Sequence, residues 1–260
     1  MGVGTSNRTL GKHILLDRIL GREVGALSFG ELPFIKKQYT FIDLCAGDGE
    51  PSVQSQYSSP KIIMKYLKIL KRRKIHSTAW LVEKNQESYD ILKATYKKYV
   101  INMNALDFDF IPRCPPNNSA CFIHSDPNAI TDWPITRGLL DSAPEYTTLL
   151  ATLGCNVNGL KRLPLSSRLK WFEKIDEVIS WMPYRHDAML AVLNGDNARW
   201  AYLIIGPKVW HDKGKYITDI KKAFSYWELG VSTIRYKTDI KKFEEMKNYL
   251  FLTQKEVACQ

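Results

Sequence analysis

The chain of 260 residues is short of the features that most readily assign a protein to a class. No run of about 18 apolar residues occurs, and the first twenty residues lack a continuous apolar stretch followed by a small-residue cleavage site. Neither a membrane-spanning helix nor a secretory leader is expected. Its five cysteines, Cys45, Cys114, Cys121, Cys155 and Cys259, are odd in number and form no CxxC pair. That argues against a disulfide framework or a structural zinc site and points to reduced thiols in a cytoplasmic protein. The histidines are scattered without ligand spacing such as H-E-x-x-H, so no metal is expected. Internal repeats, low-complexity segments and a G-x-x-x-x-G-K-[ST] phosphate loop are all missing.

Hydrophobic residues make up 45% of the chain and charged residues 25%, enough apolar material for a sizeable core. Lys and Arg number 37 against 27 Asp and Glu, a formal balance of +10 that suggests a polyanionic partner. Short apolar runs alternate with helical stretches from Tyr39 onward, the signature of an α/β fold. The runs are Tyr39 to Cys45, Ser77 to Val82, Val100 to Met103, Ala120 to His124, Thr147 to Leu153 and Trp200 to Ile205. Helical spacing covers His13 to Leu20, Pro60 to Lys74, Gln86 to Tyr99, Ser166 to Trp181, Tyr184 to Asn194, Gly214 to Trp227 and Thr238 to Leu252. A short strand is expected at Ser232 to Tyr236. One domain over residues 1–260 accounts for this pattern, as a doubly wound parallel sheet with a helical extension at 1–38. Residues 154–197 read as an insertion suited to substrate recognition.

The most informative stretch is Phe41-Ile42-Asp43-Leu44-Cys45-Ala46-Gly47-Asp48-Gly49. An apolar strand carries an acid near its end and enters a Gly-x-Gly turn, where missing side chains let a ligand approach the backbone. Cys45 and Ala46 belong to that turn. The next strand ends in Glu83, placed to accept both ribose hydroxyls of a nucleotide-like cofactor. After the third strand, Asp107 offers an acceptor to an adenine amino group and Phe108 an aromatic edge; Asp107 is otherwise a solvated loop acid. Ser52 stands where a dinucleotide fingerprint has its third glycine. Asp43 would repel a pyrophosphate but suits a cation, and this charge argument points to S-adenosylmethionine, whose amino acid end is an ammonium and whose sulfur is a sulfonium.

A second polar group, His124-Ser125-Asp126-Pro127-Asn128, ends a buried strand at the edge where open α/β sheets bind ligands. The ordered set of Asp43 to Gly49, Glu83, Asp107 and Asp126-Pro127 resembles the motifs of class I S-adenosylmethionine-dependent methyltransferases. Ser59-Pro60, Ser125 to Ala129 and Trp133-Pro134 make the stretch from Tyr39 to Arg162 similar to the three-Cys-motif partner family, methyltransferase-like proteins of phage and bacterial genomes. The resemblance implies a Rossmann-like methyltransferase sheet with S-adenosylmethionine as cofactor. It further implies that Asp126 and the Pro127 carbonyl accept hydrogen bonds from an exocyclic amine and direct its lone pair at the methyl group. The Asp/Asn-Pro-Pro-aromatic pattern of amino-group methyltransferases is departed from at Asn128 and Ala129. Trp133 is then the candidate to supply the stacking face. The first motif of cytosine-5 methyltransferases is also similar, but the Pro-Cys order they need is absent around Cys114.

Two basic clusters are candidates for a polyanion. Lys61, Lys65, Lys68 and Arg72 share nearly one helix face, which reads first as a solvated face. Lys161, Arg162, Arg168 and Lys170 flank the end of the fifth strand and are the better placed phosphate contacts. The function expected is methylation of an exocyclic amine on DNA or RNA, adenine N6 first, with a protein partner as a further source of recognition. Methylation of a protein or small-molecule amine, and a catalytically silent binding subunit, are the alternatives.

Overall fold

The computed structural model describes residues 7–28, 38–50, 57–109, 112–113, 119–127, 133–153, 165–184, 186–194, 199–207 and 230–251. In chain order the elements are α1 (Asn7–Ser28), β1 (Gln38–Asp43), α2 (Ser59–Arg72), β2 (His76–Glu83), α3 (Gln86–Tyr96), β3 (Val100–Asn102), β4 (Ser119–Ser125) and α4 (Arg137–Asp141). They continue as β5 (Tyr146–Leu153), α5 (Leu165–Trp181), β6 (His186–Asn194), β7 (Arg199–Pro207), β8 (Gly230–Arg235) and α6 (Ile240–Phe251). All strands join one eight-stranded sheet in the order β3-β2-β1-β4-β5-β7-β6-β8. The order reverses between β1 and β4, where a doubly wound sheet opens its ligand crevice.

Alternation along the central strands divides the core between the two faces of the sheet. Phe41 of β1 and Phe122 of β4 pack with Leu15, Leu16, Ile62 and Ile63 on one face. Their neighbours Ile42 and Ile123 pack with Trp133, Leu149, Trp171 and Ile175 on the other. Helix α2 shows how the sequence sets its own boundaries. Ser58 caps it by accepting from the Lys61 N–H, Pro60 sits in the first turn, and Lys71 and Arg72 lie at the C-terminal end of its dipole. Its buried residues Ile62, Ile63, Tyr66, Leu67 and Leu70 fall at helical spacing.

Two expectations are corrected. The helical pattern read over Tyr184 to Asn194 is strand β6, whose Ala188, Leu190 and Val192 face one core cluster and Met189 and Ala191 the other. A run buried on both faces has no polar phase, so periodicity does not separate helix from strand there. Residues 154–197 therefore supply helix α5 and a strand of the sheet itself. The sheet is also not wholly parallel: β7 runs antiparallel to β5 and β6, and β8 antiparallel to β6. Four residues separate β6 from β7, too few for a parallel crossover. The helix expected at Gly214 to Trp227 lies outside the described residues.

Helix α1 covers the face of the sheet that α2 also packs on. Leu15, Leu16, Ile19, Leu20 and Val24 form its buried stripe, and Lys65 and Tyr66 of α2 tie it down through the Asp17 carboxylate and carbonyl at 2.7 and 2.8 Å. Glu23 lies on the same stripe, buried, accepting from the Tyr39 hydroxyl. Burial pushes its carboxyl up to about 8, against the pull of hydrogen bonds from Thr148 and Tyr39. The folded state thus holds a proton that the unfolded chain releases, and stability falls as pH rises between about 4.5 and 8. Glu23→Gln mimics the protonated acid. We expect it to remove a slope of about 1 kcal/mol per pH unit between pH 6 and 7.5, read by urea denaturation at each pH.

Candidate active site

Strand β1 delivers Asp43 to the C-terminal edge of the sheet, opposite His124 of β4 in the register. Asp43 is fully buried, and its Oδ1 lies 3.0 Å from His124 Nδ1. Burial works against a charged imidazole, but Asp43, helped by Asp126, outweighs it and raises His124. The chain then leaves the sheet in a turn pinned on both sides, by Leu44 N–H to the His124 carbonyl at 2.9 Å and Ala46 N–H to the Val82 carbonyl at 3.1 Å. Gly47 and Gly49 both take left-handed backbone, φ +63 and +74. Glu83, at the end of β2, accepts from the Gly47 N–H at 2.9 Å and the Asn85 N–H at 2.7 Å. A carboxylate has about four acceptor positions, so both oxygens keep capacity for a ligand hydroxyl.

Asp126 follows the last residue of β4 and is half-buried. Both its oxygens accept from Lys12 Nζ, at 2.8 and 2.9 Å. Its own burial would raise the carboxyl, but Lys12 and then His124 hold it below the usual carboxylate range. Lys12 comes from α1, 114 residues away in sequence. The next residue, His13, feels His124, Asp126 and Asp43; burial first, then His124, push it down to about 4, so it is neutral at pH 7. Tyr202 of β7 is buried nearby and raised by burial and by Asp126. Cys45 is driven up by burial and by Asp43 and Asp126, which keeps its thiol protonated and unsuited to attack.

Sequence reasoning missed Lys12, His13 and Tyr202. The signal for Lys12 was present: it lies three and four residues before Leu15 and Leu16, so it shares the buried face of α1. A cation on a buried stripe needs an acid partner.

The remaining expected site residues divide. Asp43, Cys45, Ala46, Gly47, Gly49, Glu83, Asp126 and Pro127 gather at one edge. Asp107 is exposed in the turn after β3, whereas Phe108 is buried with the Arg113 guanidinium 5.2 Å from its ring centroid. Phe108 is thus a packing residue more than an open edge for adenine. Trp133 is likewise only 2% exposed, set edge to face against Trp171 with centroids 5.1 Å apart. Its faces belong to the core, which corrects the expectation of a stacking platform. Arg168 lies three residues before Trp171 on the inward side of α5 and is buried, so it does not face a polyanion. Lys170 is exposed. Asn128, Lys161 and Arg162 lie outside the described residues.

The arrangement suits a nucleotide-like ligand that donates a hydrogen bond to Asp43. The second oxygen of Asp43 is buried with no protein partner, and a Cβ built on Gly47 meets nothing within 4 Å. Among the described residues no set of three or more His, Cys, Asp or Glu side chains gathers as metal ligands, and no helix is long and apolar enough to cross a membrane.

No family model and no curated protein matches the chain. Among solved structures it is similar to protein LPL1258 from Legionella pneumophila, with a TM-score of 0.55 at 12% identity, covering 90% of this chain and 97% of that one. Cofactor-bound Rv0187 from MTB aligns with a TM-score of 0.40 at 11% identity, over 74% of this chain and 79% of the other. Geranyl diphosphate methyltransferase in complex with GPP and sinefungin aligns with a TM-score of 0.38 at 11% identity, over 71% and 78%. At such identities the likeness is one of fold alone: the chain carries a doubly wound, Rossmann-like α/β sheet.

Proposed function

We propose that this chain is an S-adenosylmethionine-dependent methyltransferase acting on an exocyclic amine of a nucleic-acid base, adenine N6 first. The observation that carries the reading is the Lys12–Asp126 pair beside the glycine turn. An unpaired carboxylate there would attract protonated amines, whose nitrogen has no lone pair to attack with. Cancelled by Lys12, Asp126 selects a neutral amine and accepts its N–H. Exocyclic amines of bases are neutral at pH 7, whereas the lysine amine, with an ordinary pKa of about 10.4, is not. The resemblance of Tyr39 to Arg162 to the three-Cys-motif partner family supports the same class of activity.

The cofactor, when bound, supplies a methyl group already activated on a sulfonium. Gly47, Gly49, Cys45 and Ala46 would form its floor, Glu83 would accept its ribose hydroxyls, Asp107 would accept from its adenine amino group, and the second oxygen of Asp43 would accept from its ammonium. Asp126 and the Pro127 carbonyl would hold the acceptor amine by its hydrogens. The amine nitrogen would gain the methyl group as the bond from methyl to sulfur breaks, its electron pair staying on sulfur as a neutral thioether, and would release one proton to solvent. A base within a duplex would have to be flipped out to reach this edge.

The test is transfer of labelled methyl from S-adenosylmethionine to total RNA, DNA and protein, followed by nucleoside digestion. We expect label in N6-methyladenosine or its deoxy counterpart. Label in protein alone would overturn the nucleic-acid reading. Cofactor binding without any transfer would instead identify a silent subunit that works with a protein partner.

A further inference from the structure

The C-terminal end of α2 and the turn after α3 gather a second set of cations that methyl transfer leaves unused. Residues 61–82 hold seven Lys and Arg and no Asp or Glu; residues 91–106 add Lys93, Lys97 and Lys98, again with no acid. Lys71, Lys74, His76 and Lys98 line a cavity of about 540 Å³ whose wall includes Trp80 and Tyr99. Lys71 Nζ donates to the Tyr99 hydroxyl at 2.7 Å, and the Lys98 ammonium stands 5.5 Å from the same ring. Tyr99 thus keeps two of these charges close together.

Among the described residues, Lys71, Lys74 and Lys98 have no carboxylate partner, in contrast to Lys65, which pairs with Asp17 at 2.7 Å. Like charges crowded without acids repel and lower stability. Lys74 adds left-handed backbone, φ +60, at the end of the helix. A polyanion would relieve the repulsion, and lysines on flexible stems beside aromatic rings suit a phosphodiester backbone.

We propose that this cavity and the exposed side of α2 form a second nucleic-acid contact, which holds the backbone of the polymer whose base is methylated. The inference rests on the nucleic-acid reading above. His76 and Glu83 are the two ends of β2, and seven steps at about 3.3 Å put this contact roughly 23 Å from the cofactor edge. That distance spans about seven base steps at 3.4 Å. Backbone contacts position a polymer without reading its sequence, so the contact would strengthen binding on any sequence.

The experiment is fluorescence anisotropy of the full chain with a labelled 20-nucleotide single-stranded RNA and, separately, a 20-base-pair DNA duplex, across about 50 to 300 mM KCl. The variant is Lys71→Gln, Lys74→Gln and Lys98→Gln together. All three side chains are exposed, so the fold is retained, and a thermal melt checks this. For at least one polymer the slope of log affinity against log salt should flatten by about 2, at 0.7 to 0.9 per lost contact, with affinity at low salt down more than about tenfold. Lys241→Gln, on α6, should leave the slope unchanged. An unchanged slope in the triple variant overturns the second contact while leaving methyl transfer to nucleic acid standing. A parent chain that binds neither polymer overturns it too, and labelled-methyl transfer then decides the fate of the first reading separately.

Discussion

Asp126→Ala is expected to fold, to bind S-adenosylmethionine within a few-fold of the parent, and to lose at least about a hundredfold in methyl transfer. The reason is positional. The methyl group needs no further activation, so the protein's contribution is to hold the amine's lone pair in line, and a displacement of about 1 Å costs on this scale. Asp126→Asn keeps an acceptor oxygen without the charge and should retain much more activity, which separates orientation from electrostatics. Single-turnover rates and calorimetric cofactor affinity measure the two properties independently. An alanine variant that transfers methyl at the parent rate would remove Asp126 from the mechanism.

The same pair sets a pH dependence. Lys12 holds the Asp126 carboxyl below its ordinary range, so the carboxylate persists to lower pH than a free aspartate. The stability it contributes is complete above the unfolded value near 3.9 and is lost as pH falls through the lower folded value. In the Lys12→Met chain the carboxyl is no longer held down, and the acid limb of the rate profile should move to higher pH. A limb that stays in place would mean that another group controls it.

The second large effect is structural and falls on Gly49. Its φ of +74 costs any other residue about 1 to 2 kcal/mol. An alanine Cβ there would lie 2.5 Å from Leu92 Cδ1 and 3.0 Å from Tyr96 Cε2, both on α3, and overpacking of this kind typically adds 1 to 3 kcal/mol. Neither the turn nor α3 yields easily. The Gly49 carbonyl accepts from the Ser58 hydroxyl at 2.6 Å, the residue that caps α2, and Leu92 is fully buried. Gly49→Ala should therefore lose about 2 to 5 kcal/mol, a large part of the roughly 5 to 15 kcal/mol that a domain has. Gly47→Ala makes the contrast: its Cβ meets nothing within 4 Å, so only the backbone cost applies to folding. That added methyl would instead stand in the cofactor's space and lower affinity about tenfold. Denaturant midpoints and cofactor titrations on both variants separate the two glycines, and equal stabilities would defeat the argument.

The comparison of the two glycines shows what local sequence can and cannot say. Gly-x-Gly after an apolar strand announces a turn that approaches a ligand, but which glycine faces α3 and which faces open space is settled by packing. Basic residues make a similar case. Arg168 and Lys170 look alike as phosphate contacts until helix α5 turns the first toward Trp171 and the second outward.

From its sequence alone the protein was determined to have β1 to β5, the helices α2 and α3 that follow β1 and β2, the glycine turn, and the acids Asp43, Glu83 and Asp126 at the strand ends. Each of these is written in contacts within a few residues, where strand alternation, helix caps and glycine freedom act. The tertiary structure alone decided that Lys12 reaches Asp126 across 114 residues, that His13 feels the same carboxylate, that 186–194 is a strand, and that Trp133 and Phe108 belong to the core. Pairings so distant leave no local period, and a segment buried on both faces loses the polar phase by which a strand is told from a helix.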